Sequence, residues 1–148
     1  MLNRISNQIV QIAKVVPITG ASTYTSEYID MSTQLEILAK VHAGVVGTSV
    51  DAKLVQASDN TGTGKKDITG RAITQITDND KNASIELRHD DQLLDSANDF
   101  TFVALEITTV GATTAVSGEV YGGLFAIDQD GAGPQSYDQA DETIRQTI

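Results

Sequence analysis

Between Ser49 and Gly70 the sequence runs SVDAKLVQASDNTGTGKKDITG, and no other stretch limits the fold so tightly. Val50, Ala52 and Leu54 point to one side of an extended chain while Asp51 and Lys53 point to the other, the two-residue period of a half-buried strand. Ser58-Asp59-Asn60-Thr61-Gly62-Thr63-Gly64 then breaks that period with residues that nearly all favour chain reversal. Asp67-Ile68-Thr69-Gly70 is a short polar-apolar step leading back into structure. A strand, a protruding turn and a return describe an all-β scaffold, with no visible catalytic machinery.

The flanking sequence follows the same grammar. Leu2, Ile5, Ile9 and Ile12 fall at helical spacing. Yet Ile9-Val10 and Val15-Val16 are β-branched, and Pro17 stops any helix before it. The reading is an arm over residues 1–18 that ends as a strand across Ile9–Val16. Thr23–Met31, dense in Thr and Tyr, reads as one strand. In Gln34–His42, Leu35, Ile37, Ala39 and Val41 make an apolar face, and Glu36, Lys40 and His42 a wet one. Arg71–Thr77 fits a short helical turn or a strand, and Ala83–Arg88 a strand with Ile85 and Leu87 inward. His89–Asn98 is a polar excursion with Leu93 and Leu94 tucked beneath it. Phe100–Val110 reads as a central strand, and Thr114–Ile127 as the last one, with Val116, Val120 and Leu124 on one face and Tyr121 and Phe125 on the other. These elements make about seven or eight antiparallel strands, the spacing of a β-sandwich or jelly-roll-like domain over 19–127. The stretch 128–148 is acidic and Gln-rich with almost no apolar residues, which predicts a mobile polar tail or an arm that orders only on contact with a partner.

Composition narrows the function. A chain of 148 residues is one domain, long enough to bury roughly 70% of its extended-chain surface without a metal or disulfide. With no cysteine, disulfide frameworks, thiolate catalysis and Cys-ligated zinc are excluded. Twenty acidic residues against ten basic ones give a formal charge of −10, which repels phosphate backbones and anionic lipid, so neither nucleic acid nor a membrane is an expected partner. Four Tyr, three Phe and no Trp make thin stacking platforms for bases or sugars. No apolar run approaches the roughly 20 residues of a membrane span. The N-terminus lacks a continuous signal-peptide core, so a product made and kept inside a cell is expected.

Candidate chemistry is sparse. Asp78-x-Asp80-x-Asn82 matches the front of a calcium loop, but Ala83 stands where Gly is needed and His89 where Glu is needed. Gly62-Thr63-Gly64-Lys65-Lys66 departs from a phosphate loop at Asp59 and Lys66. His42 and His89 are the only histidines, and no G-x-S-x-G elbow accompanies them. Glu86 with Asp90-Asp91 offers paired carboxylates but no aromatic sugar platform. Each reads more simply as a turn or a charged surface. The expectation is a non-enzyme with no cofactor, no metal and no small-molecule substrate.

From Leu35 to Gly123 the order of features resembles a family of small tailed-phage virion proteins. An apolar strand leads to Ala52-Lys53-Leu54-Val55-Gln56-Ala57-Ser58-Asp59, then to the Asp67-Ile68-Thr69 step. Phe102-Val103-Ala104-Leu105-Glu106-Ile107-Thr108-Thr109 follows, and then Gly111-Ala112-Thr113-Thr114-Ala115-Val116-Ser117-Gly118-Glu119-Val120-Tyr121-Gly122. The chain departs from the pattern where Gly64-Lys65-Lys66 replaces a region that often carries Trp.

The resemblance implies a head decoration, or cement, protein: a β-sandwich made in the host bacterial cytoplasm and seated as a homotrimer on the icosahedral head surface of the virion. Its partner would be the major capsid protein, whose subunits it bridges. Ile5, Ile9 and Ile12 of the arm, and Asn60, Thr61, Lys65 and Lys66 of the hairpin tip, are the expected contact residues; an arm packed on its own domain, and a tip that merely points outward, remain open. The alternatives are a neck- or tail-associated virion protein, or a carbohydrate-binding β-sandwich module on a head fibre.

Overall fold

The computed structural model describes residues 9–123. Ile5, Leu124, Phe125 and the tail at 128–148 lie outside the described residues. The described chain forms nine strands: β1 (Ile9–Thr19), β2 (Thr23–Thr25), β3 (Ile29–Asp30), β4 (Glu36–Ala43), β5 (Ser49–Ala57), β6 (Lys66–Ala72), β7 (Lys81–Arg88), β8 (Phe102–Val110) and β9 (Ala115–Gly123). They build two antiparallel sheets, one ordered β1-β9-β4-β7 and one ordered β2-β8-β5-β6, with β3 also paired to β8. The all-β sandwich expected from the alternating pattern is the observed architecture.

The alternation places the core. Ile37, Val41, Leu87 and Val120 of the first sheet meet Val50, Leu54, Val103, Leu105 and Ile107 of the second in one buried cluster. Burying each such side chain contributes about 1.5–3 kcal/mol. Close approach of the sheets uses Gly118 on β9, where a Cβ would lie 2.7 Å from Leu105 Cδ2 and 2.8 Å from Ile107 Cδ1. Pro17 sits in β1 at a register shift between Val15 and Ile18, where its missing N–H leaves no ladder bond unmade.

Several elements differ from the sequence reading, each for a local reason. Thr23–Met31 is not one strand but β2 and β3, followed by a 3-10 turn over Met31–Thr33. Between them Ser26 is buried; its amide donates to the Leu105 carbonyl at 2.9 Å, but its hydroxyl accepts from the Leu105 amide at 3.0 Å, so a side chain takes one of the two ladder bonds there. Leu35 does not join the apolar face; it lies before β4 and is 53% exposed. Asp67–Gly70 is the body of β6 rather than a step, with Ile68 in the core. The Arg71–Thr77 alternatives resolve as the end of β6 followed by an isolated bridge between Val50 and Ile76. Leu93 and Leu94 pack against the core from below the polar excursion, as expected.

Candidate contact surface

The alternation of β5 and β8 would put Val55, Ala57 and Ala104 on the outer side of their sheet, away from the core cluster. All three are nonetheless fully buried. On that side the hairpin between β5 and β6 folds back, its Lys65 reaching outward-facing Glu106 and its Gly62 meeting Tyr28, and forms a second layer.

Local chemistry shapes that hairpin. The Asp59 carboxylate accepts from the Thr61 amide at 2.9 Å, the Thr61 hydroxyl at 2.7 Å and the Thr63 amide at 3.0 Å. These bonds hold its carboxyl far below the usual carboxylate range, with Thr63 the largest contributor. Two glycines then admit two rings. A Cβ at Gly62 would lie 2.8 Å from the Tyr28 hydroxyl oxygen, and one at Gly64 would lie 3.2 Å from Phe100 Cζ. Both glycines have positive φ, at 88° and 68°, the conformation in which a side chain is disfavoured.

Charge completes the anchoring. Glu106, only 6% exposed on β8, receives a hydrogen bond from Lys65 and has Lys53 Nζ at 3.6 Å. Lys53 also pairs with Asp67 at 2.7 Å. Lys66 bonds Asp95 and stands 3.8 Å over the Phe100 ring, a cation–π contact. The Asp95 amide in turn donates to Gln56 Oε1 at 2.8 Å, tying the loop to β5. The hydrogen bond to Glu106 raises the Lys65 pKa, and the one to Asp67 raises that of Lys53. Lys66 and Asn98 pull the Asp95 carboxyl down. Burial pushes the Tyr28 hydroxyl up, with Lys65 acting against it.

The expected contact residues therefore part company. Asn60 and Thr61 stand exposed at the tip, beside exposed Thr63 and Gly64. Lys65 and Lys66 are engaged with this chain's own Glu106 and Asp95. Ile9 begins β1 and is 52% exposed, whereas Ile12 packs against the core cluster. The sequence reading did not single out Tyr28, Phe100, Asp95 and Glu106 as parts of this assembly. Glu106 alone left a signal, as the one charged residue of its strand.

Elsewhere the surface offers open grooves. One of about 490 Å³ lies between β6 and β7 and is lined by Arg71, Glu86, Arg88 and Asp91. Arg71 and Asp91 on its wall form a 2.7 Å ion pair. A second, of about 370 Å³, lies beside Pro17, His42 and Ser117, with His42 Nδ1 3.1 Å from Asn82 Oδ1 and its Nε2 3.8 Å from Glu119. Among the described residues no group of three or more His, Asp or Glu is arranged to hold a metal ion, and no helix is long and apolar enough to cross a membrane.

No protein-family model matches the chain, and no curated protein matches it in sequence. Solved structures align with much of the chain at low identity. The SPBc2 prophage-derived protein YomS is 13% identical, with 76% of this chain and 92% of that one covered at a TM-score of 0.44. The Yersinia pseudotuberculosis-derived mitogen YPM is 13% identical, covering 78% and 86% at 0.41. A Bacillus endospore appendage from a family of disulfide-linked pili is 20% identical, covering 83% and 97% at 0.36. Likeness at this level assigns no function, and the absence of cysteine here rules out disulfide linkage in this chain.

Proposed function

We propose that this chain is a structural protein of a phage virion, seated on the outside of the head as a cement protein that bridges shell subunits. The observation that carries the reading is the hairpin between β5 and β6. It is fastened to the sheet by Asp59, Tyr28, Phe100, Lys65 and Lys66, and it presents a neutral polar tip at Asn60 and Thr61. A tip held rigid before contact loses little conformational entropy on docking. Its lysines are already neutralised by this chain's own carboxylates, which leaves hydrogen bonding and shape as the means of recognition.

The electrostatics agree with a role in binding rather than catalysis. A general acid or base works best with a pKa near the operating pH. Among the described residues, the carboxyls that shift, Asp59, Asp91 and Asp95, go down. The lysines and tyrosines that shift, Lys53, Lys65, Tyr28 and Tyr121, go up. Each is held more firmly in the form it already has at neutral pH.

The test is binding of purified protein to undecorated heads. Asn60→Arg at the exposed tip is expected to weaken binding at least tenfold, while Lys40→Gln on the opposite sheet leaves it unchanged. Because β1 is paired from Ile9 onward, the arm is tested by removing residues 1–8 rather than a longer piece. Undiminished binding by both the tip variant and the truncation removes hairpin and arm from the account. Binding to necks or tails in place of heads overturns the position on the head.

A further inference from the structure

The borders of the two sheets are treated unequally. An unpaired strand edge invites another strand, and proteins blunt such edges with short strands, bulges, proline or a covering group. β1 carries two register shifts and Pro17, and its outward Lys14 amide donates to the Glu27 carboxylate at 3.1 Å. β2 and β3 are three and two residues long. β6 is broken by a register irregularity opposite Lys53 and Val55, and Gly70 within it has a φ of 74°.

β7 has neither a register shift nor a proline, and only its last amide is covered. Its eight residues pair with β4 in one unbroken register, from Glu36 opposite Arg88 to Ala43 opposite Lys81. The direction of the bonds fixes which amides are free. His89 donates to the Leu35 carbonyl at 2.8 Å, and Gly44 donates to the Ala115 carbonyl at 2.9 Å. Odd-numbered β4 residues therefore bond β7 and even-numbered ones bond β9. The amides of Asn82, Ser84, Glu86 and Arg88 consequently point outward, along the groove between β6 and β7. The Arg88 amide is taken by Asp91 at 3.0 Å. No described residue pairs with the other three, and Asn82, Ser84 and Glu86 are exposed.

We propose that β7 is a docking edge for β7 of a second copy of this chain, joined antiparallel across a twofold axis at Ser84, so that two four-stranded sheets continue as one. The edge is complementary to itself in that register. Asn82 falls opposite the partner's Glu86 and Ser84 opposite the partner's Ser84, so all three free amides on each side find a carbonyl. Sliding by two residues brings into the ladder either Arg88, whose amide is spent on Asp91, or Asp80, whose amide is spent on the Gly44 carbonyl. Sliding by one residue turns Ile85 and Leu87 out of step with the core face. The contact is one strand a side, at the small end of specific interfaces. The charge of −10 on each chain opposes association until salt screens it. The result is a concentration-dependent dimer, not the threefold set implied by the resemblance, and it stands independently of the shell-binding reading.

Sedimentation equilibrium of the full chain tests this, from about 5 μM to about 500 μM, the range that resolves a weak complex. The mass is expected to rise from 15.7 kDa toward twice that value, with exchange at the Asn82, Ser84 and Glu86 amides slowing in step. Ser84→Pro removes one outward amide without touching the bonds to β4, and Ser84→Lys sets like charges together on the axis. Both variants should stay at the single-chain mass with an unchanged unfolding midpoint. A wild-type chain that remains monomeric throughout, or forms trimers, overturns the proposal, as does a Ser84→Lys chain that dimerises like wild type.

Discussion

The two sheets obey the same alternation rule inward and opposite rules outward. On the sheet containing β4, the outward side chains of Lys40, His42 and Glu119 are only partly buried, and Ser84 and Glu86 are exposed. On the sheet containing β5 and β8, outward Val55, Ala57 and Ala104 are fully buried on the side where the hairpin folds back. One face is a solvated surface; the other is a small second core with a buried carboxylate inside it. The lesson is that a two-residue period identifies a strand but does not say whether its second face will be wet. Here the difference rests on two rings seated on two glycines and on Lys65, which reaches across to Glu106.

The sharpest break of that contrast is a charge placed on each face. Ala104→Asp, beneath the cover, should cost about 3–5 kcal/mol in chemical denaturation, because the new carboxylate is buried without a partner. Lys40→Gln on the bare face should stay within about 0.5 kcal/mol. Equal effects would mean that the cover opens freely.

Next in size is Glu106→Ala, expected to cost about 1–3 kcal/mol, since charge-assisted hydrogen bonds are lost while the freed lysines regain water. Hydrogen exchange should then rise across 58–66 and 95–100 while β4 and β7 stay protected. Uniform loss of protection over both sheets would show that the hairpin is not a separate layer.

The smallest effect is the pH profile, whose sign follows from the shifts. Asp59 and Asp95 have lowered pKa values, so their stabilising contribution is present above the ordinary value of 3.8 and fades as pH falls through the folded values. Lys53 and Lys65 have raised values, so theirs is present below 10.5 and fades as pH rises through the folded values. The covered face should loosen at both extremes and stay level between them. On the bare face, burial and the hydrogen bond to Glu119 push the Tyr121 hydroxyl up to about 12. Ultraviolet titration should find this late-ionising tyrosine in wild type and an earlier one in Glu119→Gln.

How far the sequence discloses this molecule differs between the same two regions. β4, β5, β7, β8 and β9 are legible because inward apolar residues recur at every second position, and Pro17 with the β-branched pairs marks β1 as a strand. The Asp59-x-Thr61-x-Thr63 turn is equally readable, because its hydrogen bonds are local. What escapes is non-local. Tyr28 and Phe100 meet Gly62 and Gly64 from distant parts of the sequence, and nothing near either aromatic announces it. The split of Thr23–Met31 depends on the Ser26 hydroxyl meeting Leu105, a contact between distant strands. Leu35 matches the apolar pattern but falls just outside β4, where the period no longer determines which side is buried.

The most direct measurement of the central claim, that an outer surface of this sandwich docks on a phage shell, is electron cryo-microscopy of undecorated heads incubated with the purified chain. The account predicts ordered density on the head exterior, with the Asn60–Thr61 tip against the shell and the density lost in Asn60→Arg. Bare heads at saturating protein, or density in which the bare β4 face meets the shell and the hairpin points to solvent, would contradict it.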